Sequence, residues 1–590
     1  MARNKYDVDE TLETPFEMRH LKRALVYVGR YKGKMIAALA ISVVAIVISL
    51  FSPVITQYAI DNSIPDKNIP ELLIVAGLLL LTIIVSVILT TIRSRLIMEV
   101  GQDVIFDIRS DLFAHLQRLS FEYYDNRPHG KILVRIINYV NGVSDVLSNG
   151  IITFVIEIFN MIFILIFMFA MNWKMALVIC AGVPFLMLVI GLIKNKQRVA
   201  WQQVSNKSSN LNAYLHEGLE GVKVTQLFVR EEENTEIFKN LSEKYRKTWM
   251  NAVTLNNALW PSIDMVSVII SVSIYVTGLL VIGPASISLG TIVAMGGYAS
   301  RFWQPIMNLA NLFNSFVNAV SYLERIFETL DEPVKVNDKI GAKDIPEIKG
   351  SFRFDNVTFS YDGSKNILEN LSFSVKSGES VALVGPTGAG KSTIVNLISR
   401  FYDVSAGAVL VDENNIADCT LHSLRSQMGI MLQDSVLFSG TILENIRYGK
   451  LDASEDEIRS ACRTVRADEF ISQLPNGYNT KIIERGASLS QGQRQLIAFA
   501  RTLISDPKIL VLDEATSSID AKTEKLLQEG LQQLLKGRTS FIIAHRLSTI
   551  KNCDRIMYVS DKGIKEWGTH DELMERKGDY YRLYMSSELK

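Results

Sequence analysis

The stretch Gly385-Pro-Thr-Gly-Ala-Gly-Lys391-Ser392-Thr393 follows the apolar run Val381 to Val384, which reads as a strand, a glycine loop and the start of a helix. That order is a P-loop. Gly385, Pro386, Thr387, Gly388, Ala389 and Gly390 let the backbone wrap phosphates with its N–H groups at a helix N-terminus. Lys391 reaches the β and γ phosphates, and Ser392, with Thr393 beside it, offers a hydroxyl to Mg²⁺. A nucleoside triphosphate is the first ligand this stretch predicts, although the motif alone suits a kinase or GTPase equally well.

Two more stretches narrow the choice. Leu489-Ser-Gln-Gly-Gln493 precedes Ile509-Leu-Val-Leu-Asp513-Glu514, an apolar strand ending in two acids. A carboxylate beside triphosphate is repelled unless Mg²⁺ and Lys391 offset it. Asp513 therefore reads as ordering Mg²⁺ through water, and Glu514 as the base that polarises an attacking water. In this company the chain resembles the ATP-binding-cassette ATPases. The resemblance implies that Tyr361, in Phe359-Ser-Tyr361, stacks on adenine. It implies that Gln433, in Met431-Leu-Gln-Asp434, senses the γ phosphate and Mg²⁺, and that His545, in Ile543-Ala-His-Arg546, holds the γ phosphate. Ser490, Gln491, Gly492 and Gln493 form the signature that completes a site on a second subunit, and Asp520, in Ser517-Ser-Ile-Asp520, lies in the loop crossing that interface.

Lys plus Arg and Asp plus Glu both total 62, for a formal net charge of +0, which gives no global attraction to nucleic acid. Cys180, Cys419, Cys462 and Cys553 lack metal-type spacing and fit a reducing cytosol. Mean hydropathy is +0.17, and the apolar residues concentrate in the first 320 positions. Spanning roughly 30 Å of hydrocarbon takes about 20 residues. Met35 to Ile60, Leu72 to Ile92, Ile151 to Met171, Met175 to Ile193 and Ile263 to Ile282 all qualify. A sixth run, Thr291 to Phe313, carries Arg301 and Gln304, and an even number of spans argues for it.

The long segments 93–150 and 194–262 are rich in Lys and Arg, whereas 61–71 has only Lys67, so the long segments are cytoplasmic. Phe16 to Lys34 reads as an amphipathic surface helix with Arg19, Lys22, Arg23, Arg30, Lys32 and Lys34 near anionic headgroups. The expected fold is an α-helical six-span membrane domain followed by an α/β P-loop nucleotide-binding domain. Its expected divisions are an N-terminal segment at 1–34, the transmembrane domain at 35–325, a linker at 326–349 and the ATPase domain at 350–590.

Phe121-Glu-Tyr-Tyr-Asp125, Pro128-His-Gly130 through Arg135, and Glu217-Gly-Leu-Glu-Gly221 into Phe228 are similar to the coupling segments of the exporter branch of that family. The resemblance implies ATP-driven export of hydrophobic or amphipathic compounds by alternating access across the plasma membrane. With no internal repeat, the chain would be a half transporter that dimerises. A nucleotide-gated channel or regulator, and an importer built on the same scaffold, remain open. Gln491 stands where the signature usually has its first glycine, and Thr480-Lys-Ile-Ile-Glu484-Arg-Gly486 lacks the glycine usual before the glutamate. With Glu514 kept, this resembles the hydrolytic half of an asymmetric heterodimer; a homodimer is the alternative. Glu157 and Asn160 in the third run and Arg301 in the sixth are the polar candidates for a substrate cavity. Glu157 would attract cationic amphiphiles or would instead pair with Arg301.

Overall fold

In hydrocarbon a chain satisfies its backbone only as a helix or a closed barrel, and each of the six apolar runs lies in a helical segment. The computed structural model describes residues 18–588 apart from 126, 128, 283–286, 432–435, 484, 485, 487, 514–520 and 544–549. Its first unit is Met1–Leu116 with Gly130–Asp331. It begins with α1 (Met18–Gly29), α2 (Lys32–Tyr58) and α3 (Ile69–Leu116). After α4 (Phe121–Asp125), which belongs to the other unit, come α5 (His129–Val134), α6 (Val140–Asp145), α7 (Ile151–Glu220), α8 (Val222–Leu227), α9 (Glu231–Val276) and α10 (Leu289–Leu330). Four of these helical segments are long and apolar enough to cross a membrane. One of the four, α7, holds two of the runs. It breaks at Asn172 (φ −158°, ψ 106°), whose side-chain oxygen accepts the N–H groups of Lys174 and Met175 at 3.1 and 3.2 Å. The sixth run lies in α10. Leu50, Ile164, Met168, Met175, Ile179, Ile274, Met295 and Met307 form the buried centre of this unit.

Three of the N-terminal basic residues have acidic partners within the chain. On α3, Glu99, Asp103, Asp107 and Asp111 recur every four residues and so share one face. Tyr27 bonds Asp111 at 3.0 Å, Arg30 pairs with Asp107 at 2.9 Å and Lys34 with Asp103 at 3.1 Å. Arg23 makes a two-pronged pair with Asp331 at 2.5 and 2.6 Å and lies over the Phe327 ring. Three of the six expected lipid-facing cations thus have acidic partners in the chain, while their side chains remain 40–52% exposed. At the other end of α2, in the π-helical turn Ala59–Ser63, Asp61 accepts from the Gly290 N–H at 2.8 Å and the Ser288 hydroxyl at 2.5 Å. A Cβ on residue 290 would meet that carboxylate at 2.6 Å, so the staple needs glycine.

The second unit is Gln117–His129 with Glu332–Lys590. It contains β1 (Phe352–Phe359), β2 (Leu368–Val375), β3 (Ser380–Val384), α11 (Lys391–Ile398), β4 (Ala406–Val411), β5 (Asn414–Asn415), α12 (Leu421–Arg425) and β6 (Met428–Met431). Then follow β7 (Gly440–Thr441), α13 (Ile442–Arg447), α14 (Glu455–Thr464), α15 (Asp468–Ile471), β8 (Lys481–Ile482) and α16 (Gln491–Ile504). The chain closes with β9 (Ile509–Asp513), α17 (Ala521–Leu535), β10 (Thr539–Ile543), β11 (Arg555–Ser560), β12 (Gly563–Gly568), α18 (His570–Arg576) and α19 (Asp579–Glu588). The main sheet has the order β12-β11-β3-β10-β9-β6, and a smaller one the order β2-β1-β4-β5.

Because side chains alternate across a strand, the apolar runs of β3, β9 and β10 feed two cores. Ala382, Val384, Leu510, Leu512 and Ile542 face a core with Ile442, Ile458 and Leu496 of the neighbouring helices. Val381, Leu383, Ile509, Val511, Phe541 and Ile543 face the other, with Phe354 of the small sheet and Ile394 of α11. Covered on both faces, these strands read as continuous hydrophobic runs. Arg400, just beyond α11, fixes the edge of the second core. It is 1% exposed and holds φ +47°. Its guanidinium donates to the carbonyls of Cys419 (2.7 Å), Asn337 (3.1 Å) and Ala417 (3.2 Å) and to Asp403 (3.1 Å).

Candidate functional site

Parallel strands β3, β10, β9 and β6 are hydrogen-bonded neighbours, so their C-terminal ends empty onto one edge of the sheet, where ligands of such sheets bind. The P-loop leaves β3 at this edge. Gly385 has φ +143°, and a Cβ there would come 2.2 Å from the Val559 carbonyl of β11, so only glycine fits. Gly390, at φ +104°, turns the chain into α11. Lys391 is 9% exposed and donates to the carbonyls of Gly385 and Pro386, both at 2.8 Å. Burial pushes its pKa down, and attraction to Asp513 at the end of β9 acts against that shift. The charge of Asp513 is thus felt at the lysine that closes the loop. Thr387, Gly388 and Ser392 are exposed at the loop surface.

Tyr361 is 37% exposed and sits beside the loop, its hydroxyl 3.0 Å from Thr393 Oγ1. Ser490 caps α16. Its Oγ accepts the Gln493 N–H at 3.2 Å while its own N–H donates to Gln493 Oε1 at 2.9 Å. Gln491 is the exposed first residue of that helix and Gly492 is buried. Gln433, Glu514, Asp520 and His545 lie outside the described residues. Gln433, Glu514 and His545 follow within two residues of β6, β9 and β10, the strands that end at this edge.

Residues 35–306 match the family pattern described as the ABC transporter transmembrane region, and residues 368–517 match the one described as ABC transporter. A Bacillus subtilis (strain 168) protein, the uncharacterized ABC transporter ATP-binding protein YknV, is 41% identical over 590 residues, covering 99% of this chain and 97% of that protein. This chain belongs to the ABC transporter family.

Another relative of this ABC transporter is YgaD of the same strain, named for multidrug export as an ATP-binding/permease protein. It is 35% identical over 96% of this chain and 99% of its own length. The structure of a bacterial Atm1-family ABC exporter with ATP bound superposes with a TM-score of 0.78 at 27% identity, covering 94% of this chain and 98% of that one. The ABC transporter is therefore an exporter, a multi-pass membrane protein with a cytosolic ATPase domain that binds and hydrolyses ATP. As a half transporter it works as a dimer.

Within the exporter's membrane helices the polar candidates separate. Glu157, 8% exposed, accepts from Asn308 at 2.5 Å and from Asn160 at 3.4 Å. The alternative pairing of Glu157 with Arg301 is not made. Arg301 instead repairs α2, because Pro53 has no N–H to give the Ser49 carbonyl four residues before it. Arg301 Nη1 donates there at 2.6 Å, and Tyr298 donates to the adjacent Leu50 carbonyl at 2.6 Å. The distance between these residues in the chain hid this pairing; Pro53 inside an apolar run was its only readable sign. Arg301→Ala strands a carbonyl at a cost of about 1–3 kcal/mol. The expected result is a lower melting temperature for the exporter in nanodiscs, largely restored by Arg301→Lys, which keeps one donor.

Proposed function

We propose that the exporter moves hydrophobic or amphipathic compounds out of the cell, the class its multidrug-named relatives suggest, and that the strand edge bearing the P-loop is its engine. The carrying observation is that edge itself: a buried lysine under the charge of an aspartate, between a glycine loop and a helix N-terminus. On this reading Tyr361 stacks on adenine, residues 385–390 and the start of α11 take up phosphate oxygens, and Lys391 meets the β and γ phosphates. Ser392, with its exposed hydroxyl, and Asp513, through water, fit Mg²⁺, as does Gln433 by its position after β6. The ion would neutralise charge on the phosphates. Glu514 orients and deprotonates the attacking water, and His545 steadies the γ phosphate. ATP drives the cycle by favouring the closed dimer over the open one.

The signature segment Ser490, Gln491, Gly492 and Gln493 serves the nucleotide of the partner chain, with Asp520 at the interface between them. Leu227, Phe228 and Val229, at and beyond the end of α8, are 68–80% exposed, an apolar surface that a second ATPase domain is suited to cover. The changed signature beside a retained Glu514 favours a heterodimer in which this chain supplies the base. One observation favours a homodimer: Gln491 is exposed and the Ser490–Gln493 cap is intact, so the substitution leaves the helix start whole. ATPase activity of the chain purified alone in nanodiscs separates the two. Activity only on co-expression with a second half transporter establishes the heterodimer; robust activity alone establishes the homodimer.

A further inference from the structure

The six apolar runs contain two acids, Glu157 and Asp264. Glu157 is engaged: Asn308 and Asn160 bond its carboxylate, and Arg93 of α3 feels its charge. Asp264 stands at the cytoplasmic end of the fifth run, in α9, which continues through Pro261. It is exposed and has no hydrogen bond or ion pair among the described residues. Nor does the neighbouring chain offer one, since between Lys247 and Arg301 there is no basic residue and no other acid. The cytoplasmic leaflet is anionic and repels a carboxylate at its surface, whereas acids at span depth face the bundle interior or a water-filled passage.

The buried side of α9 is Ala252, Leu259, Ile263, Val266, Ile270 and Ile274. At about 100° per residue, Asn257, Trp260, Asp264, Val268 and Tyr275 fall on another stripe of the helix, and all five are exposed. The cytoplasmic end of that stripe is built of acceptors. Pro261 has no N–H to give the Asn257 carbonyl four residues before it, and no side chain among the described residues donates to that oxygen. The Ser49 carbonyl freed by Pro53 is filled by Arg301; the one freed by Pro261 has no such cation. Trp260, 51% exposed, presents a ring one turn before Asp264. Carboxylate, carbonyl oxygen and indole face share one preference, a cation carrying N–H groups. Deeper in the span the stripe turns apolar at Val268 and the ring of Tyr275, a surface suited to a hydrocarbon tail.

We infer that Asp264, with Trp260 and the Asn257 carbonyl, receives the charged head of an amphipathic ammonium compound whose tail lies along Val268 and Tyr275. The inference rests on the substrate class proposed above and narrows it to cations. It also moves the choice of charge from Glu157, whose carboxylate is taken up by amides, to an acid that has no partner among the described residues.

The test uses the full-length exporter, with its partner chain if one is needed, in inside-out vesicles supplied with MgATP. Three dansyl-labelled decyl chains differ only in the head, which is an ammonium, a hydroxyl or a carboxylate. The readout is accumulation of the ammonium probe relative to the hydroxyl probe. Because the ratio is taken within one preparation, a poorly expressed variant still reports. Asp264→Asn keeps the volume and is expected to lower the ratio at least about 10-fold, or roughly 1.4 kcal/mol, and Asp264→Glu to restore most of it. Trp260→Leu should lower it about 2- to 5-fold, the worth of an exposed cation–π contact. Asp264→Lys should turn the preference toward the carboxylate probe. An unchanged ratio in Asp264→Asn overturns the inference and leaves the acid facing lipid headgroups. Equal loss of all three probes overturns it too, and makes Asp264 a packing residue against the partner chain. If the unaltered exporter moves none of the probes, the proposed substrate class falls and the inference with it; if it moves them at a ratio that Asp264→Asn does not alter, only the site falls.

Discussion

Glu514→Gln is expected to lower ATP turnover by roughly 10²- to 10⁴-fold, the range for loss of a general base, while ATP still binds. Glutamine matches the shape of glutamate, so the site can fill and the dimer can close. It does not take a proton from water at physiological pH. The position follows from β9, whose residues Ile509 to Leu512 are buried and whose last residue, Asp513, faces Lys391 electrostatically. Glu514 is the next residue in the chain after that strand. In a heterodimer with one hydrolytic site, this single substitution silences the whole complex; in a homodimer it silences both sites. Phosphate release from reconstituted protein, with analogue binding in parallel, reads both quantities. Turnover within a few-fold of normal would move the base to another residue.

Arg400→Ala has the largest expected effect on stability, because it removes a fully buried guanidinium from three backbone carbonyls and a carboxylate. Breaking such a buried charged network costs about 3–5 kcal/mol. The carbonyls of Cys419, Ala417 and Asn337 belong to the small sheet's edge and to the segment that leads into the ATPase domain, so that edge should loosen first. Arg400→Lys is expected to recover little, since one ammonium cannot fork across three separate acceptors. Arg400→Gly is an informative companion. It relieves the φ of +47°, which costs of order 1 kcal/mol in a residue with a side chain, yet should remain clearly destabilised. Denaturant unfolding of the purified exporter, followed by loss of nucleotide binding, measures the series; a loss below about 1 kcal/mol for Arg400→Ala would mean that water replaces the network.

The fold class was legible because its signals are local. Val381 to Thr393 reads as strand, loop and helix from consecutive residues, and the apolar runs read as spans from their length. Pairings across long stretches of chain carry no such local mark. Arg23 meets Asp331 and Arg301 meets Ser49 through the packing of helices far apart in sequence, and neither partner advertises the other. The partners of Arg23, Arg30 and Lys34 went unread for this reason, although the four-residue recurrence of Glu99, Asp103, Asp107 and Asp111 was a readable sign of an acidic face awaiting cations. Likewise Glu157 found Asn308 rather than Arg301. The motif residues of the nucleotide site were named from order and spacing, whereas Asp264 went unremarked because it lies at the margin of an apolar run. That it lacks a partner among the described residues shows only once the helices are packed.

The single-residue turn at Asn172 limits how the exporter can open. Consecutive Cα atoms are about 3.8 Å apart, and Asn172 bonds straight back to Lys174 and Met175, which leaves no slack between the two spans it joins. Those spans are tethered at that end as firmly as two blades on one rivet. Whatever cleft admits solvent there during transport has to part other neighbours, because the two spans on either side of Asn172 cannot separate at that end.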